Sequence, residues 1–211
     1  MKNSTFRFGG FSAILVGMLS LLYALFYLVI SRRTEMAGMI GSWLILSLSG
    51  LFTSAAYVAI YQRVRKDGEG LALWALILGA AASFATFQHG AYEGLILRAQ
   101  PLANRGATLP SQVDPSGLAT FLVIGIVSFL FSILILQGTT LSKGLGILGI
   151  VNAVLLVVLY FATERGMQGL ILISGGLTSV ILGPVWWIWL GISLLNRKQI
   201  SAETESVLHP A

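Results

Sequence analysis

One stretch decides the fold: residues 117–138 read GLATFLVIGIVSFLFSILILQG and contain no charged side chain. A helix needs about 20 apolar residues to cross the hydrocarbon core of a bilayer, where its backbone must satisfy its own hydrogen bonds. The stretch is long enough, and it contains no proline that would interrupt a helix. It predicts a transmembrane α-helix.

Five further stretches have the same character. The six predicted spans are 11–30, 38–61, 70–94, 117–138, 144–162 and 169–194. The chain of 211 residues is 56% hydrophobic and 10% charged, whereas a soluble domain is about 25% charged. We therefore predict an all-α, polytopic membrane bundle of six helices within residues 1–198, followed by a short polar tail, 199–211. Most turns are short, so neighbouring helices are expected to be antiparallel.

The positive charges indicate an orientation. After six crossings, eight Lys and Arg fall on one side and five on the other: Lys2, Arg7, Arg63, Arg65, Lys66, Lys143, Arg197 and Lys198 against Arg32, Arg33, Arg98, Arg105 and Arg165. The positive-inside rule then places both termini in the cytoplasm. Tryptophan favours membrane interfaces, which predicts Trp43 at the outer surface and Trp74, Trp186, Trp187 and Trp189 at the inner one.

Several classes of function lack their signatures. The four lysines lie in predicted loops or tails, which argues against a retinal Schiff base, and two histidines outside paired positions argue against a bis-histidine haem. All eight acids fall at span ends or outside, which argues against ion-coupled transport through a midplane carboxylate. Phosphate loops, GxSxG elbows and HExxH pairs are missing as well. We expect no cofactor and no nucleic-acid partner.

His89 and Glu93 form the strongest candidate site. They lie four residues apart near the end of the third span, so on a helix they share one face, as a metal site or an acid–base pair requires. At about 1.5 Å per residue, His89 lies roughly 28 Å across a core about 30 Å thick. The hypothesis is an outward-facing metal or proton site with Asp114 or Glu164 as a further ligand. The alternative is an interfacial pair that pins the helix end.

Two residues inside the spans are further ligand-binding candidates. Asn152 is the only amide well inside the hydrocarbon region, where it either contacts a ligand or makes an interhelical hydrogen bond worth roughly 1 kcal/mol. Pro184 cannot donate to the carbonyl of Val180, which predicts a kink in the last span. Broken helices line substrate sites in transporters, although neighbouring helices also accommodate isolated prolines.

Small residues and one loop complete the pattern. Gly50-x-x-x-Ser54 in the second span has the spacing that lets helices approach closely, and Ser49 and Thr53 belong to the same small polar patch. The connection from Arg98 to Ser116 contains three prolines, which cannot continue a helix. It is the only predicted loop large enough to form a lid or a partner surface.

The end of the chain resembles a known group of proteins. The stretches Leu141–Val151, LSKGLGILGIV, and Gly183–Leu195, GPVWWIWLGISLL, are similar to the ending of a family of small bacterial multi-helix membrane proteins of unknown function. The resemblance covers about the last third of the chain. It implies a bacterial inner-membrane location and no particular chemistry.

Three functions remain open. The first, favoured by the absence of catalytic signatures, is a non-enzymatic role in interaction, assembly or scaffolding, with the lipid bilayer, a membrane-protein partner or a second copy of the chain as partners. The second is a carrier for a neutral or apolar small solute, and the third is a membrane enzyme with an outward His89/Glu93 centre. A dry, packed interior would favour the scaffold, a polar cavity at Asn152 the carrier, and acids converging on His89 the enzyme.

Overall fold

The computed structural model describes residues 2–99 and 113–196. The predicted tail 199–211 and most of the connection between Arg98 and Ser116 lie outside these residues.

The described chain forms six helices, numbered in chain order. Three of them contain a π-helical segment, in which backbone hydrogen bonds reach one residue further than in an α-helix. The bounds are as follows: α1 is α-helical over Lys2–Leu25 and π-helical over Phe26–Ile30; α2 is Glu35–Val64 with a 3-10 turn Arg65–Asp67; α3 is Glu69–Ala99; α4 is π-helical over Leu118–Val123 and α-helical over Ile124–Gln137; α5 is Lys143–Glu164; α6 is α-helical over Gln168–Gly176, π-helical over Leu177–Leu182 and α-helical over Gly183–Leu195.

All six helices are long and apolar enough to cross a membrane, which confirms the prediction of six spans. Large apolar side chains cover the outside of the bundle; Ile147 is 58% and Leu172 is 62% exposed. Exposing such side chains to water costs roughly 25 cal/mol for each Å² of apolar surface, and a lipid environment removes that cost. The outer surface is therefore that of a membrane-integral protein.

The helices pack in a ring in which each one contacts the next along the chain. The last helix, α6, returns to pack against α1 and closes the ring. Three connections are shorter than predicted: those between α1 and α2, between α2 and α3, where Gly68 alone joins the two, and between α5 and α6. Short connections hold these consecutive helices side by side, and the packing of α6 on α1 closes the ring.

Large side chains fill one half of the bundle, the half that contains the first residues of α1. Tyr57 stacks on Phe131 at a ring-centroid distance of 5.5 Å and is tilted against Trp187 at 5.7 Å, and Trp186 packs edge-on against Trp187 at 4.7 Å. The Trp186 indole donates a hydrogen bond to the Leu145 carbonyl at 3.1 Å. We call this the packed half and define it by these buried side chains: Tyr57, Ile60, Phe131, Leu134, Leu145, Trp186, Trp187, Leu190 and Leu194.

Two features of this half are not visible in the sequence. Trp186 and Trp187 are only 0% and 8% exposed, so they pack inside the protein and do not face lipid. Arg63, which follows the predicted span 38–61, lies in the last turn of α2 and is 3% exposed, with its guanidinium 5.1 Å from the centre of the Phe6 ring. The α2 helix continues past its apolar span, and the contact with Phe6 lets a cation lie against the bundle.

Glycines allow the closest helix contacts. A Cβ atom on Gly50 would lie 2.6 Å from the Ser83 carbonyl oxygen, and one on Gly90 would lie 2.4 Å from the Trp43 carbonyl oxygen. These two glycines set the separation of α2 and α3. The α1–α6 contact is similar, since a Cβ on Gly191 would lie 2.5 Å from the Gly10 carbonyl oxygen. Close approach of this kind is a usual basis of helix association in lipid.

Candidate functional site

A cavity of about 440 Å³ lies in the other half of the bundle, which we call the open half. Its floor is Trp187, at the edge of the packed half, and the exposed residues Tyr27 and Pro115 mark its opening at the helix ends. All six helices contribute to the wall, for example through Tyr23, Thr53, Glu93, Thr120, Asn152 and Thr178. A cavity of this size accommodates a small molecule.

His89 and Glu93 lie together at this cavity. The α3 helix runs without interruption through both, so they share one face as their spacing predicts. Glu93 is 7% exposed, and its Oε1 atom has no hydrogen-bond partner. The sequence predicts a carboxylate at the headgroup level, but the structure encloses it within the protein and directs it to the cavity wall.

Asp114 brings a second carboxylate to the opening. Its oxygens accept hydrogen bonds from the backbone N–H groups of Ala119 and Thr120 at 3.1 and 3.0 Å and from the Thr120 hydroxyl at 2.7 Å. Asp114 therefore caps the first turn of α4. Asp114 and Glu93 are both close enough to the half-buried His89 to act on it electrostatically.

The metal hypothesis gains no third ligand from the described part of the chain. Within residues 2–99 and 113–196, no group of three or more His, Cys, Asp or Glu side chains is arranged to hold a metal ion. Glu164 is exposed and is not part of the cavity wall. His89 and Glu93 supply two ligands, whereas structural and catalytic metal sites usually use three or four protein ligands. The pair therefore stays a prediction as a metal site.

Asn152 faces the cavity from the middle of α5. It is 5% exposed, and its Oδ1 atom has no hydrogen-bond partner. Gly183 lies opposite on α6, where a Cβ atom would be 3.8 Å from that oxygen. The interhelical hydrogen bond that would explain Asn152 as packing is thus not made by Oδ1. An unpaired buried acceptor costs about 1–3 kcal/mol, which favours a role toward a bound solute.

The three π-helical segments surround the same cavity. They contain 5, 6 and 6 residues, and they contribute Tyr27, Thr120, Phe121, Thr178 and Ser179 to its wall. Well under one residue in a hundred is π-helical in ordinary proteins, and such segments are frequent at functional sites. Their concentration here makes the open half the candidate functional half of the molecule.

Pro184 lies two residues after the end of one of these segments, Leu177–Leu182. The kink predicted at Pro184 stays a prediction; the described backbone is π-helical over Leu177–Leu182, just before Pro184, whose ring nitrogen has no hydrogen to donate. Hydroxyls bind the backbone around it: Ser20 of α1 donates to the Ser179 carbonyl at 3.0 Å. Pro184 itself is buried beside Gly17 of α1 and is not among the wall residues; the neighbouring Gly183 is.

Sequence reasoning missed most of the wall. Besides Ser49 and Thr53, which the sequence grouped into a polar patch, it contains hydroxyl residues from every other helix: Ser20, Thr86, Thr120, Thr163, Thr178 and Ser179. Each is unremarkable alone, because Ser and Thr can bond to the preceding turn of their own helix. Each of them lies in the half of its span that reaches the same end of an antiparallel bundle. That shared position could have identified them from the sequence.

Comparison of the chain with protein-family models, with curated proteins and with solved structures finds no match. The family resemblance of the last third therefore stays an expectation from the sequence, and the function is argued from the site alone.

Proposed function

We propose that the protein is a membrane carrier whose solute binds in the cavity of the open half. The observation that carries the proposal is the cavity beside Asn152, mostly apolar but with a buried and unpaired amide oxygen in its wall. The arrangement of the bundle supports it, because a site open at one end and closed by a packed half at the other is one state of an alternating-access mechanism.

The open half also bears on the other two functions, the scaffold and the enzyme. A scaffolding role predicts a packed interior, and a 440 Å³ cavity lined by hydroxyl, amide and carboxylate groups does not favour it. An enzyme is the second candidate, since His89, Glu93 and Asp114 lie together at the opening and could transfer protons. In an enzyme, the catalysed reaction would fail in His89→Ala while solute binding at Asn152 persisted.

The protein's membrane and its orientation in that membrane are also proposed. We place the protein in a bacterial inner membrane, on the resemblance of its last third. The excess of Lys and Arg, eight against five, places both termini in the cytoplasm and the open half toward the outside. The solute would then enter from outside and leave through a transient opening of the packed half.

Single-cysteine labelling tests the carrier, because the native chain contains no cysteine. Thr53→Cys places a thiol in the cavity wall, and the matched control Ala56→Cys places one in the packed half of the same helix, where Ala56 is 0% exposed. A membrane-impermeant thiol reagent added outside should modify Thr53→Cys rapidly. In a carrier, Ala56→Cys should react slowly from the cytoplasmic side only.

Two results would count against the carrier. If Thr53→Cys is unreactive from both sides, the cavity does not admit solutes. If Thr53→Cys reacts but Ala56→Cys never does in cycling membranes, the cavity binds a solute without transporting it. Mass spectrometry of compounds taken up by reconstituted vesicles, compared with Asn152→Leu vesicles, would then identify what is carried.

A further inference from the structure

The cavity wall offers two hydrogen-bond acceptors that have no donors. Glu93 and Asn152 are 93% and 95% buried, from exposures of 7% and 5%, and their Oε1 and Oδ1 atoms lack partners. Both side chains line the cavity, on α3 and α5. A solute that satisfies both atoms must supply N–H or O–H groups, because two acceptors cannot pair with each other.

The charges at the opening select the sign of such a solute. The described wall carries the carboxylates Glu93 and Asp114 and the imidazole His89, and it includes neither lysine nor arginine. Asp114 already accepts three hydrogen bonds from the start of α4, whereas Glu93 has a free oxygen. A positively charged donor would make a charge-assisted hydrogen bond to Glu93, the stronger kind.

Aromatic rings line the approach to this carboxylate. Tyr23 and Tyr27 stack with ring centroids 5.7 Å apart on α1, and both line the cavity together with Trp43 of α2. Aromatic faces attract organic cations through their quadrupole, and quaternary and primary ammonium groups are commonly bound in this way.

We infer that the solute is a small organic amine in its ammonium form, held by the Glu93 carboxylate near the opening with a hydrogen-bond donor directed at Asn152. The inference rests on the proposed carrier function and names its substrate class. It departs from the sequence-based expectation of a neutral or apolar solute, because that expectation placed every acid outside the site.

Thiol reagents of opposite charge test the sign of the site. Thr53→Cys is treated with a trimethylammonium-ethyl methanethiosulfonate and a sulfonatoethyl methanethiosulfonate, each rate being divided by its rate with a free thiol. The cationic reagent should be favoured about tenfold, as expected for one unscreened carboxylate within a few ångströms. Adding Glu93→Gln should lower the preference to about two- or threefold, while Glu69→Gln, at the exposed start of the same helix, should leave it unchanged.

A probe pair tests binding directly. The full chain in neutral-lipid nanodiscs is incubated with 2-phenylethylamine or its neutral analogue 2-phenylethanol, and protection of Thr53→Cys from labelling is measured. The amine should protect at concentrations about tenfold or more below those of the alcohol, and Glu93→Gln should abolish the difference.

The outcomes separate the two proposals. Labelling without charge preference, or equal protection by amine and alcohol, overturns the organic-amine inference and leaves the carrier intact. A preference that persists in Glu93→Gln also overturns it, because the charge would come from elsewhere. Complete lack of labelling of Thr53→Cys removes the carrier itself. Unchanged melting of Glu93→Gln in nanodiscs shows that a lost preference reflects charge and not misfolding.

Discussion

Under the carrier proposal, Asn152 serves solute binding at the expense of stability. Its Oδ1 atom is buried and unpaired, so its amide costs folding free energy that a leucine in the same place would not. Residues that weaken the fold while lining a cavity are those expected to contact a ligand.

Asn152→Leu should keep or raise the melting temperature while removing solute uptake. The stability change follows from deleting an unpaired polar group, worth about 1–3 kcal/mol, and the functional loss follows from deleting the acceptor. Thermal unfolding and uptake by vesicles measure the two effects. Val151→Leu, on the lipid-facing side of the same helix, is the control and should change neither. A lower melting temperature for Asn152→Leu would show that the amide is structural.

Asp114 stabilises the start of α4, independently of any contact with a solute. Asp114→Ala removes three hydrogen bonds at the start of α4 and should lower the free energy of unfolding by about 1–2 kcal/mol. Glu164→Ala, at an exposed acid outside the cavity, should have almost no effect. Chemical denaturation in mild detergent compares the two. Equal stabilities would mean that the cap contributes nothing.

Amine binding should weaken as the pH falls. Glu93 and His89 face the opening from α3, and Asp114 faces it from the segment before α4. Protonation of the His89 imidazole adds a positive charge at the opening that repels an ammonium group. Protection by 2-phenylethylamine should therefore fall as the pH is lowered, and His89→Gln should flatten the profile; tighter binding at low pH would refute the sign of the site.

At the scale of the helix, α2 and α3 pack closely because glycines at their contact have no side chain. Gly90→Ala should destabilise the protein by about 1–3 kcal/mol, because its Cβ would lie 2.4 Å from a backbone carbonyl that cannot move aside. Gly94→Ala, one turn later on the same helix, meets nothing within 4 Å and should be neutral or slightly stabilising. Melting temperatures of the pair measure the difference, and a stable Gly90→Ala would show that α2 and α3 can separate at little cost.

The π-helical segment of α6, Leu177–Leu182, contributes Thr178 and Ser179 to the cavity wall. Pro184→Ala restores a backbone donor, so the π-helical segment Leu177–Leu182 can convert to an α-helix and rotate Thr178 and Ser179. A cysteine at Ser179 should then be labelled more slowly than in the native background. Val185→Ala, at an exposed neighbour, serves as the control. Identical rates in all three backgrounds would mean that Leu177 to Leu182 keeps its geometry without the proline.

The irregular segments explain why parts of the site escaped sequence reasoning at this scale. The span lengths predict α6 as a whole, and Pro184 predicts where its regularity ends. The π-helical segments Phe26–Ile30 and Leu118–Val123 contain neither proline nor glycine, so no local residue announces them. Leu118–Val123 follows Gly117, whose φ is +75°, and its first turn is capped by Asp114.

At the scale of the whole molecule, the two halves of the ring differ in the size of their inward-facing side chains. Tyr57, Phe131 and Trp186 fill the packed half, whereas serine, threonine and glycine line much of the open half. Small side chains from six helices cannot fill the centre of a ring, and a cavity remains where they meet. Within residues 2–99 and 113–196, the asymmetry leaves one end of the bundle closed and the other open.

The sequence by itself determined the six spans and the shared face of His89 and Glu93, because these depend on local hydrophobicity and helical spacing. Only the tertiary structure decided that Glu93 is enclosed, that Asn152 has no partner for its oxygen, and that Trp186 and Trp187 are interior. Those properties depend on which side chains of non-adjacent segments meet across the ring. In a bundle whose faces are nearly all apolar, hydrophobic periodicity carries too little information to choose them.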